Sequence, residues 1–100
     1  MRRWNGWGDR TVTYPLPAGA TRVLEEWVGP GTPPGDAAME QVLSTVPPSR
    51  LPAHPAVSTD PLDRLGHATG QSLPDWVALR RGRLPAFPDG VACPTDEAQV

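Results

Sequence analysis

Nine cations, all arginine, stand against eleven acids in 100 residues and leave a net charge of −2. That balance gives no electrostatic reason to expect nucleic acid or an anionic membrane as a partner. Fourteen prolines, ten glycines and a single cysteine point to one small, loop-rich segment with no internal disulfide, expected in a reducing compartment, the cytoplasm.

Arg2 and Arg3 are followed by no apolar run, and no long apolar stretch occurs later, so neither a secretory signal nor a membrane span is expected. Residues 1–19 read as an irregular lead-in with Trp4 and Trp7. Within it, Thr11–Leu16 alternates like a short edge strand that Pro15 ends. Ala20, Val23, Leu24, Trp27 and Val28 then recur with helical spacing, and Gly29-Pro30 supplies the stop.

A turn-rich linker, 29–35, leads to a second predicted helix with Asp36 as N-cap and Met39, Val42, Leu43 and Val46 as its buried stripe. Pro47-Pro48 stops it and opens a stiff, extended stretch to Pro55. Asp60-Pro61 starts a third, short helix that Gly66 weakens and Gly70 ends. The fourth has the clearest opening, with Ser72 as N-cap and Asp75 three residues on. Leu73, Trp76, Val77 and Leu79 supply its apolar face, Arg80 and Arg81 suit its negative end, and Gly82 is the expected stop. The last stretch reads as a short strand at Val91 followed by a helix N-capped at Thr95, with an apolar stripe begun at Ala98 and Val100. A helix that short does not hold alone, so the expectation is the front of a larger protein.

Several residues suggest chemistry. His54, His67 and Cys93 are candidate metal ligands by type, yet none has paired spacing. Cys93 lies in the apolar run Val91-Ala92-Cys93, which favours a small buried hydrophobe over a nucleophile. Trp27 and Trp76 fall on helix faces and read as core, whereas Trp4 and Trp7 read as docking residues or as a platform for a flat ligand. Arg80, Arg81 and Arg83 form a cluster suited to phosphate or carboxylate, and equally a normal helix C-terminus. No glycine-rich phosphate loop and no catalytic triad pattern is present, so no catalytic, cofactor-binding or metal residue is assigned.

Arg2-Arg-Trp-Asn-Gly-Trp-Gly-Asp9, Pro47–His54, Val57–Arg64, His67–Trp76 and Ala78–Arg80 together resemble the N-terminal region of alkylglycerone-phosphate synthase and its bacterial relatives. These are FAD-dependent proteins of the vanillyl-alcohol-oxidase type. Phe87–Pro94, followed by an acidic helix start, is similar to the first strand and helix of their FAD-binding domain. The four predicted helices make a mainly α chain with irregular Pro/Gly-rich connections, and the resemblance implies its division. Residues 1–84 would be a helical N-terminal extension, and 85–100 the cut-off beginning of an α+β FAD-binding domain. Its partners would be the missing FAD-binding and cap domains, and its cofactor FAD, held by the parent and not by this chain alone. The parent's reaction would be formation of an ether-lipid precursor, or oxidation of a hydroxy acid or alcohol. The alternative reading is a small stand-alone helical interaction module, docking through Trp4, Trp7 and the exposed faces of its first and last helices.

Overall fold

A computed structural model describes all residues, 1–100. The elements in chain order are α1 (Ala20–Val28), α2 (Met39–Leu43), β1 (Val57–Ser58), α3 (Pro61–Gly66), α4 (Leu73–Arg80), β2 (Val91–Ala92) and a single 3-10 turn (Glu97–Gln99). β1 and β2 pair antiparallel, Val57 opposite Ala92 and Ser58 opposite Val91, as a two-stranded sheet.

Where the start chemistry is local, the helices begin where the sequence places them. The Asp60 side chain accepts from Leu62 N, with Pro61 in the first turn. Ser72 and Asp75 complete a reciprocal capping box, which satisfies two backbone donors that the first turn of α4 would otherwise leave unpaired. Gly82 takes φ +64° just past α4, a conformation glycine enters without strain. α3 stops at Gly66, with His67 as its C-cap, four residues before the expected Gly70.

α2 departs from expectation. Its N-cap is Ala38, not Asp36. Ala37 N donates to Arg80 O at 2.9 Å, so residues just before the helix are held extended against the end of α4. Asp36 instead accepts from Asn5 Nδ2 at 3.3 Å. Thr11–Leu16 forms no strand. No neighbouring chain offers it a ladder, and Pro15 and Pro17 carry no donor. At the other end, Thr95 is not the N-cap. Asp96 takes that place over a 3-10 turn, while Thr95 donates to Gln99 Oε1.

Four side chains make the core: Val42 of α2, Leu65 of α3, and Trp76 and Leu79 of α4. Trp4, Ala37, Met39, Leu43, Leu84 and Phe87 pack around them. The stripe expected for α4 is therefore turned, since Leu73 and Val77 are exposed.

The correction at α1 is larger. Its helix forms over the expected residues, but none of them is buried, and Trp27 is 83% exposed. Trp27 is not core. The molecule accordingly measures 55 × 26 × 22 Å with a radius of gyration of 17.6 Å, against about 13 Å for a compact chain of this length. No helix is long and apolar enough to cross a membrane.

Candidate functional site

Two sequence-distant segments converge on Arg64 of α3, which is only 2% exposed. Its Nε donates to Pro88 O and its Nη1 to Pro47 O, both at 2.7 Å. Proline-rich segments have few N–H groups to pair their carbonyls with, and one planar guanidinium serves two of them at once. The third nitrogen, Nη2, is buried without a partner.

A second link closes the same seam from outside. Arg50 is bidentate to the Asp89 carboxylate, with Nε and Nη2 at 2.9 and 2.6 Å from Oδ2 and Nε also 3.2 Å from Oδ1. Arg50 N donates to Asp89 Oδ1, and Ser49 Oγ to Asp89 O. The Arg50 side-chain hydrogen bonds hold the Asp89 carboxyl below the usual carboxylate range. Gly90 follows directly. A Cβ there would stand 2.6 Å from Val57 Cγ1 and 3.0 Å from Leu51 Cδ1, so only glycine lets the 87–92 segment lie this close.

The arginine cluster occupies a different face. The end of α4 and residues 32–37 enclose an open groove of about 690 Å³ whose lining includes Arg80, Arg81, Arg83 and Asp36. The end of α4 is fixed by Arg83 N donating to Ala78 O and by the Ala37–Arg80 backbone bond. Gly35 lets the linker approach Arg80 O, which would lie 3.2 Å from an added Cβ. None of the three guanidiniums is ion-paired. The two ion pairs of the chain are Arg50–Asp89 and the amino terminus with Asp9. The groove's size lies in the range of ligand sites, but its lining is polar and its mouth wide. It suits carboxylate or phosphate recognition on a surface, not enclosure of a cofactor. Across Val77, Arg81 and Arg83 it continues into an apolar shelf of about 450 Å³ that also includes Leu73 and Pro74.

The other sequence candidates stay apart. His54 Nδ1 accepts from Ala56 N, and His67 Nδ1 lies 2.8 Å from Asp63 O. Cys93 is exposed, not buried, because the β1–β2 pair carries no second layer over it. No three His, Cys, Asp or Glu side chains converge. Trp4 packs against the core, and Trp7 stands edge-on to Trp76 with centroids 5.9 Å apart and an interplanar angle of 77°. Trp7 remains more than half exposed. Arg64 and the Arg50–Asp89 pair were not singled out from sequence. The only signal for Arg64 is a cation placed three residues after a proline at the helix start, and it carries no hint of partners so far along the chain.

Against known proteins, the chain matches no family model, no curated protein and no solved structure.

Proposed function

We propose that the chain is the helical N-terminal part of an FAD-dependent oxidoreductase similar to alkylglycerone-phosphate synthase. In this reading it packs against the FAD-binding and cap domains and contributes no catalytic residue. The flavin and the ether-lipid or alcohol chemistry belong to those domains. The observation that carries the reading is the open edge of the β1–β2 pair. Two two-residue strands are too little to stand alone, and an unpaired edge accepts a further strand. β2 lies in the Phe87–Pro94 segment that resembles the first strand of the flavin domain.

Reading the source DNA past the Val100 codon in all three forward frames tests this. A frame that reaches a strand and a glycine-rich loop within about 30 codons, the length of a strand–helix–strand unit, is expected. A stop with no such frame nearby overturns the reading. The purified 100 residues are expected to retain no flavin, and stoichiometric flavin binding would move the cofactor site into this chain.

The uncovered stripe of α1 favours a second reading, a stand-alone helical interaction module. A cooperative thermal transition of the isolated chain supports it, and a non-cooperative one removes it.

A further inference from the structure

α1 is a nine-residue helix with no side-chain cap, no acid in its first turn and no base in its last. A helix of that length is marginal in water without a packing partner. Successive residues advance about 100° around a helix, so Val23, Leu24, Trp27 and Val28 form one apolar stripe with Glu26 on one flank and Glu25 on the other. All four apolar residues are exposed.

The outward face of α4 is its complement. Leu73 and Val77 lie along its middle, exposed, and the same angular step sets Arg80 and Arg81 on either side of them. Arg83 extends the basic rim, and the apolar shelf joins the arginine groove at Val77. None of these arginines has a carboxylate partner within the chain.

We propose that α1 of one copy docks on the α4 shelf of a second copy, reciprocally, to form a two-fold homodimer. Leu24, Trp27 and Val28 cover Leu73 and Val77, while Glu25 and Glu26 meet the Arg80, Arg81 and Arg83 rim. Because each copy supplies both halves, one contact made twice closes the symmetry. Gly19 precedes α1 and Gly29 follows it at φ +84°, so glycine bounds the helix at both ends. The chain as a whole has surface to spare. The chain exposes 7936 Å², about 2,400 Å² more than a folded monomer of its mass ordinarily does, whereas a stable interface hides about 800 Å² per partner. Paired charges rimming an apolar strip also fix the register between the helices. The inference is independent of the flavin reading, because it concerns only surfaces within these 100 residues.

Sedimentation of the 100-residue chain from micromolar to hundreds of micromolar concentration tests it. The wild type is expected to reach twice its 10.7 kDa mass as concentration rises. Arg81→Glu with Arg83→Glu, and separately Glu25→Arg with Glu26→Arg, should each stay monomeric, because both contacts of the dimer become repulsive. An equal mixture of the two variants should regain the doubled mass, since in the mixed dimer positions 25 and 26 again face opposite charge at positions 81 and 83. Leu24→Ser with Trp27→Ser, at exposed positions outside the core, should abolish dimerisation by another route and without altering charge. A wild type monomeric throughout, a dimer indifferent to both charge reversals, or a mixture that stays monomeric each overturns the proposal. A closed monomer in which α1 covers its own α4 would show as the first of these outcomes. Flavin content does not enter the readout.

Discussion

Arg64 Nε and the carbonyl of Pro88 are joined by a 2.7 Å hydrogen bond across 24 residues of chain, and that bond ties α3 to the segment leading into β2. With the matching bond to Pro47, one side chain joins α3 to the segments at Pro47 and Pro88.

Arg64→Ala is therefore expected to destabilise the chain by about 2–5 kcal/mol, since two carbonyls lose their donor at a buried site. Arg64→Lys should recover about half of that, because an ammonium lacks the planar fork that reaches both acceptors. Urea midpoints of the three proteins check this. A loss within about 0.5 kcal/mol for Arg64→Ala, the range of an ordinary surface change, would mean that Arg64 does not clamp these segments.

Gly90→Ala should cost about 1–3 kcal/mol through overpacking, because its Cβ would sit 2.6 Å from Val57 Cγ1. Adding Val57→Ala vacates that atom and should restore part of the loss, so the two changes are expected to be non-additive. Simple additivity in a thermal-melt cycle would contradict the close approach.

Trp76→Ala removes the largest side chain of a four-residue core and is expected to cost about 3–5 kcal/mol, enough to unfold so small a body. Trp7→Ala removes an exposed ring in edge contact with it and should cost only about 0.5–1.5 kcal/mol. Circular dichroism of the two variants separates them. Equal losses would mean that Trp7 is buried in solution.

Stability should fall on acidification. The Arg50 side-chain hydrogen bonds lower the Asp89 pKa, those from Ser72 lower that of Asp75, and hydrogen bonds from the amino terminus and Thr11 lower that of Asp9 to about 2. A carboxylate with a lowered folded-state pKa stabilises the fold above its unfolded value, about 3.9. That contribution disappears as pH drops through the folded value. The decline is thus expected below about pH 4, ending for Asp9 near 2. These groups are half-buried and still reached by solvent, so added salt should shrink the effect. Denaturant midpoints of wild type and Asp89→Asn across this window provide the measurement. An identical slope in both would exclude Asp89 as a source.

What the sequence determined by itself lies within one helical turn. The Ser72–Asp75 box, the Asp60 cap, the Gly82 stop and the helical period of α1 were legible because their partners sit two to four residues away. A periodic apolar stripe shows that a helix has a face to cover, but not whether its own chain covers it. That is why Trp27 and Leu73 read as core and stand exposed, while Trp76 reads as core and is 8% exposed. Tertiary structure alone decided the start of α2, where a backbone bond to Arg80 overrides the Asp36 cap. It also decided the pairing of β1 with β2 and the burial of Arg64. Each depends on groups brought together across tens of residues, and no local propensity encodes which distant carbonyl or strand will be there to meet them.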